Sequence, residues 1–339
     1  MAIQILGVYE QVTGCQPKSI QHWIQHITGA AAVIQLRGNK QSNTPASLRM
    51  LASVTWNLLI RCVYGGIRLP PHLRLLMDNA LLKSGTPSTA LGTLEVMILF
   101  SDFRADIEEG LLRDPMDIIS RATKLDNMLV GYLNNVSADW AYTIISTDLE
   151  SDIIFDGTYH VYHSCWLAHM WNALRTQRIM IAQHIREGLL AAMSCTPPLF
   201  TRESFDIQYE IVIETLHGLE KDILSTVPQH IGVGDPPRSR PRGSESNPIP
   251  TSNGIWLMWP LWLVGVVGAT PNSMRKFVSR TLHSIGDNQG IQQAHIFAKL
   301  VEDHSNIDGW SVRESLKLKT VVPKPTYDKK MIEAGRPPE

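Results

Sequence analysis

Two histidines one helical turn apart, His22 and His26 in "QHWIQHITG", have the spacing at which a helix offers two imidazoles to one metal ion. No carboxylate stands in that turn, and Trp23 sits where a metalloprotease helix carries its glutamate. A denser group follows in "HVYHSCWLAH", with His160, His163, Cys165 and His169. On a helix the His163 and Cys165 side chains point about 200° apart, so they cannot share an ion while the segment stays helical. Core packing or interhelical hydrogen bonds are the better account of both groups. "SMRK" at 273–276 fits a Ser-x-x-Lys nucleophile pair but lacks the partner motifs of that chemistry. The chain has no Gly-Lys-Ser/Thr phosphate loop, no Gly-x-Ser-x-Gly elbow and no Gly-x-Gly-x-x-Gly fingerprint. No catalytic residue, cofactor or metal is expected.

Carboxylates offer one alternative. "SDFRADIEEG" places Asp102, Asp106 and Glu109 at i, i+4 and i+7, on one helical face, as all-α prenyl-diphosphate enzymes place the aspartates that hold magnesium. The second magnesium-binding motif of those enzymes is missing, so a solvated acidic face is expected. The rival reading is a magnesium-dependent cyclase or transferase using Asp102 and Asp106.

Basic residues gather in "PPRSRPRG", at Arg238, Arg240 and Arg242, and again at Lys324, Lys329 and Lys330. The arginine group is a candidate nuclear-import patch. Over all 339 residues the net charge is −1, which lacks the basic footprint of a nucleic-acid binder. Four widely spaced cysteines, Cys15, Cys62, Cys165 and Cys195, suggest buried thiols rather than a disulfide framework. The first lysine is Lys18, so the N-terminal stretch has no basic region of a secretory signal.

The elements that must carry these residues are helical. Ile20, Trp23, Ile24, Ile27, Ala31 and Ile34 fall on one face, and Gly38 is a natural C-cap. Leu48 to Cys62 repeats the pattern and ends in glycines. Thr86–Pro87 and Asp114–Pro115 each read as an N-cap followed by proline in the first turn. The longest expected helix runs from about Thr158 to Met193, and another from about Glu203 to Val227. Residues 228–254, rich in Pro, Gly and Ser, are expected to form a long mobile surface loop before the last three helices. The first of these, "IWLMWPLWLVGVVGA", is about 15 residues, short of the roughly 20 that span a bilayer, and it is interrupted by Pro260. It is expected at the buried centre of the molecule. Period-two alternation is confined to a weak "SLKLKTVV" near the C-terminus. The fold class is all-α: a multi-helix array of antiparallel helices, with its main part at 1–227, the loop at 228–254, packed C-terminal helices at 255–310 and a disordered tail at 311–339.

Four motifs in this order resemble one family, the C-terminal regulatory region of fungal zinc binuclear cluster transcription factors. They are Trp23, His26, Gly29, Ala30, Arg37, Gly38 and Gln41; "LLIRCVYGGIRLPPHL"; Trp171, Asn172, Arg175, Arg178 and Ile179; and "WPLWLVGVVGATP". The resemblance covers about residues 5–305. Gly29 and Ala30 are expected to let helices approach closely, and the aromatic-rich helix to fill the bundle.

The resemblance implies transcription control in a fungal nucleus, often of a specialised-metabolism gene cluster, through contacts with other proteins such as a transcription factor or coactivator. A small-molecule effector is the other ligand class it implies. The six-cysteine DNA reader of the family has no counterpart here, so no direct DNA binding is expected, and no membrane association. A scaffold or dominant-negative partner of a complete factor is a further alternative. Candidate lining residues for a ligand or partner pocket are Trp166, Trp171, Trp256, Trp259 and Trp262; packing in the core is the plainer reading.

Overall fold

The computed structural model describes residues 2–15, 18–38, 44–83, 89–148, 151–233, 250–267 and 269–303. Eleven α-helices make up most of these residues: α1 (Ala2–Thr13), α2 (Lys18–Arg37), α3 (Pro45–Gly65), α4 (Pro71–Lys83), α5 (Thr89–Glu108), α6 (Pro115–Asn134), α7 (Cys165–Met193), α8 (Arg202–Leu224), α9 (Thr251–Val266), α10 (Asn272–Gln289) and α11 (Gln292–Glu302). A two-stranded antiparallel ribbon, β1 (Tyr142–Ser146) and β2 (Thr158–Tyr162), is the sheet among them. The class is all-α.

Local chemistry explains the helix ends. Asp114 caps α6 by accepting from the Met116 amide at 2.7 Å, with Pro115 in the first turn, as expected. Thr44 and Ser47 form a reciprocal capping box at the start of α3, and Gly66 ends that helix in the left-handed region at φ 59°. Gly38 likewise closes α2 at φ 56°. The expected cap at Thr86–Pro87 lies outside the described residues. The tight link between α1 and α2 depends on Gly14, where a Cβ would lie 2.3 Å from the Ser19 Cβ and 2.4 Å from the Glu10 carbonyl.

Three expectations change. The longest helix begins at Cys165 rather than near Thr158, because Thr158–Tyr162 pairs with Tyr142–Ser146 as strand. Asp156 and Gly157 both adopt positive φ, 52° and 64°, as a type I′ turn requires. The segment 228–254 is not loop at its ends: Gln229–Val233 forms a π-helical turn, and α9 already starts at Thr251. Gln229 and His230 are fully buried. The middle of that segment, the weak strand near the C-terminus and the tail lie outside the described residues. Gly29, finally, is not a close-packing site, since a Cβ there would meet nothing within 4 Å.

One hydrophobic core runs from Ile20 of α2 to Val301 of α11. Helix α9 lies at its centre, with Leu257, Met258, Leu261, Trp262, Leu263 and Val264 fully buried. It packs on α7, α8, α10 and α11. At Gly265 a Cβ would lie 2.5 Å from Val301, so the glycine sets how closely α11 approaches. No helix among the described residues is long and apolar enough to cross a membrane. The apolar run is the inside of the protein.

Candidate functional site

Helix α7 is the spine on which the polar interior is built, and the motif residues sit along it. Trp171 donates its indole N–H to the Trp140 carbonyl at 3.0 Å. Asn172 donates to Thr226 at 2.8 Å. Arg178 forms a two-point ion pair with Asp126 of α6, at 2.7 and 3.0 Å, the geometry that suits guanidinium to carboxylate. Ile179 is fully buried.

Arg175 is nearly buried and stands among aromatic faces, with its guanidinium carbon 5.3 Å from Trp171, 5.5 Å from Tyr142 and 5.8 Å from Tyr162. Its Nη1 donates to the Tyr162 hydroxyl at 2.7 Å, and Asp222 of α8 lies 3.3 Å from its Nε. His160 of β2 is buried in the same cluster, 3.2 Å from the Tyr162 hydroxyl. Burial, and then the Arg175 charge, push its imidazole down to about 4. The ribbon is tied to the π turn by Gln229, whose side-chain amide accepts from the Tyr162 N–H at 2.7 Å and donates to the Tyr162 carbonyl at 3.0 Å. The arrangement fixes the ribbon to α7 and α8, and one nitrogen of the guanidinium, Arg175 Nη2, is left buried without a hydrogen-bond partner.

The five candidate tryptophans fall in separate places. Trp259 and Trp262 belong to an aromatic cluster with Trp23, Tyr64 and Phe297, at centroid separations of 5.1–5.8 Å. Trp256 stacks on His169 of α7 at 5.2 Å. Trp171 packs under the ribbon, and Trp166 is half exposed, at 52%. A surface cavity of about 550 Å³ lies elsewhere, between Thr147 and Gly157 beside the ribbon and Arg280 of α10.

Pro260 explains the His169 contact. Proline has no N–H, so the carbonyl four residues back, that of Trp256, loses its helical donor. The buried His169 ring stacks on the Trp256 indole and feels the pull of that backbone. Burial still pushes its imidazole down to about 4, against the pull of the carbonyl.

The acidic row is occupied by arginines rather than left solvated. Arg68 reaches Asp106 at 2.6 Å and Glu109 at 3.1 Å, Arg74 reaches Asp102 at 2.8 Å, and Arg121 reaches Asp106 at 2.7 Å. Burial opposes ionisation of Asp106, yet Arg68 and Arg121 hold its carboxyl below the usual range. These pairs join α4, α5 and α6 in one lattice.

The histidine groups also separate. His160 is on β2 and His169 on α7, with Cys165 buried at the first turn of α7. Sequence reasoning missed one carboxylate: Glu10 of α1 lies 3.7 Å from His22 and 3.8 Å from His26. Only Cys62 and Cys165 are buried thiols; Cys15 is exposed and Cys195 half-buried, correcting the expectation for those two. Burial pushes the Cys62 thiol up to about 12. Ser273 and Lys276 are both exposed on the first turns of α10, while Arg275 between them donates to the Gly265 carbonyl in the last turn of α9 and to the Val267 and Thr270 carbonyls beyond it. Arg238, Arg240 and Arg242 lie outside the described residues.

The outer surface of α1 is apolar: Ile5, Leu6, Val8 and Tyr9 are each about half exposed or more, beside Val33 and Leu36 of α2.

No protein-family model matches the chain, and no solved structure matches it. Among curated proteins, the chain is similar to a protein of Emericella nidulans named transcription factor dbaG. The two are 23% identical over 310 residues, which span 87% of this chain and 68% of the relative.

Proposed function

We propose that this chain is a fungal transcription-regulatory protein that acts through contacts with other proteins in the nucleus. The observation that carries the reading is the similarity to a protein named as a transcription factor, extending over 87% of the chain. The interior supports it: the polar residues that could do chemistry are spent on joining helices. Carboxylates that a magnesium-dependent reaction would use face guanidinium groups instead. In the finer form of the proposal the chain is a regulatory region of the zinc binuclear cluster type, controlling a specialised-metabolism gene cluster. A helical array of this kind relays a signal when a partner or small molecule binds one of two arrangements better than the other.

The test is a tethering assay. The full chain is fused to a bacterial repressor's DNA-binding module in yeast, upstream of a reporter gene. A several-fold change in reporter transcript, up or down, is expected relative to the module alone, and Trp262→Ala is expected to weaken it by destabilising the core. An unchanged reporter, with the fusion present in the nucleus at normal levels, would refute the proposal.

A further inference from the structure

Helices α10 and α11 form a hairpin on which two histidines converge. The Nδ1 atoms of His283 and His295 lie 3.2 Å apart. The opposite nitrogen of each ring faces a carboxylate: His283 Nε2 is 3.0 Å from Glu302, and His295 Nε2 is 3.4 Å from Asp287. Glu302 is fixed in turn by the Ser279 hydroxyl at 2.5 Å. Gly286 makes the seat for the second ring, since a Cβ there would lie 2.4 Å from His295 Nε2. Five residues thus run as one string, Asp287, His295, His283, Glu302 and Ser279, along the seam between the helices.

Counting protons shows what the string is set up to hold. If each Nε2 donates to its carboxylate, one ring needs an Nδ1–H and the other a bare Nδ1 lone pair. The central contact is then made by one proton between two nitrogens that both point at the same place. A metal ion of the zinc class can bind the same two nitrogens from a seat just beside the line on which that proton lies. With bonds of ~2.0–2.1 Å and tetrahedral angles, two nitrogen ligands sit about 3.3 Å apart. The observed separation needs almost no adjustment. Carboxylates on the far nitrogens are the usual outer partners of metal-bound histidines, fixing the tautomer and the direction of the ring. Here they are already present, and the Ser279 hydroxyl holds the Glu302 carboxylate in place.

We infer that the α10–α11 hairpin carries a binding site for one divalent transition-metal ion of the zinc class, held by Nδ1 of His283 and Nδ1 of His295. Among the described residues no set of three or more His, Cys, Asp and Glu side chains surrounds a metal position. The site therefore supplies two protein nitrogens and leaves its remaining positions to water. His283 is 43% and His295 33% exposed, so solvent reaches it. Binding forms two nitrogen–metal bonds and releases the proton shared between the rings, with no redox change. This inference is independent of the proposed function.

The test is calorimetric titration of the full chain, freed of metal by a chelator, with zinc chloride. One zinc ion per chain is expected. His283→Ala and His295→Ala are each expected to remove the binding event, and Glu302→Gln to weaken it by ~10-fold or more. If an alanine variant loses its helical circular dichroism, His283→Gln and His295→Gln replace it with the same expectation. Absence of stoichiometric binding overturns the inference, as does binding that survives substitution of either histidine.

Discussion

Glu220 of α8 is a carboxyl in a place where its charge is expensive, and replacing it makes a quantitative prediction. The side chain is fully buried. Thr270 donates to its Oε1 at 2.7 Å, while Oε2 has no partner. Burial pushes the group from 4.5 up to about 7, although Thr270, Arg275 and Arg186 all favour the ionised form. Between those two values the folded chain holds a proton that the unfolded chain has released. Stability tied to this group is thus fully present below pH 4.5 and is lost as pH rises to 7. At about 1.4 kcal/mol per pH unit the loss amounts to about 3 kcal/mol. Glu220→Gln keeps an oxygen for Thr270 and cannot ionise, so it escapes that loss. For the roughly 270 described residues the gain corresponds to about 5 °C in melting temperature. The assay is thermal unfolding followed by circular dichroism at pH 5.0 and pH 8.0. The variant should melt close to wild type at the lower pH and about 5 °C higher at the upper. Equal differences at the two pH values, or a variant that melts lower at pH 8.0, would refute the reasoning.

Three further outcomes follow from the packing. Arg178→Ala leaves Asp126 half-buried without its two-point partner and should cost ~1–3 kcal/mol; a double-mutant cycle with Asp126→Ala should show that most of the cost belongs to the pair. Trp262→Ala empties the middle of the aromatic cluster and should cost ~3–5 kcal/mol, read by urea unfolding at neutral pH. His160 and His169 both titrate at about 4 when folded, against 6.5 in the unfolded chain. Their stability is present above pH 6.5 and is lost as pH falls to 4, because the unfolded chain takes up protons that the folded one refuses. His169→Phe should therefore flatten the acid side of a stability-against-pH profile, and an unchanged slope would count against the placement of that ring.

Most helices were legible because their apolar residues recur at the helical period and their ends carry punctuation: Asp114–Pro115 before α6, Gly38 after α2, glycines after α3. The ribbon was not read because its second strand runs with a two-residue break into α7, and "TYHVYHS" supplies apolar and aromatic residues that a helix would also accept. The usable signal was Asp156–Gly157, a turn dipeptide directly before Thr158–Tyr162, although that strand pairs with the more distant Tyr142–Ser146. Helix α1 escaped notice because it exposes apolar residues on its outer side as well as its inner one, which blurs any single stripe. The motif residues of α7 were identified by type, yet their partners Asp126, Tyr142, Tyr162, Asp222 and Thr226 come from α6, the ribbon and the end of α8. Pairings across 13 to 54 residues leave no periodic trace. Glu10 is missing from the reading of His22 and His26 for the same reason.

The proline inside α9 has one more consequence. Because the carbonyl it frees lies within electrostatic reach of a buried ring on α7, which also stacks on the Trp256 indole, sliding one rod along the other would break both contacts. Any rearrangement that carries information through this molecule must then move the two together, as a single lever, and find its hinge elsewhere.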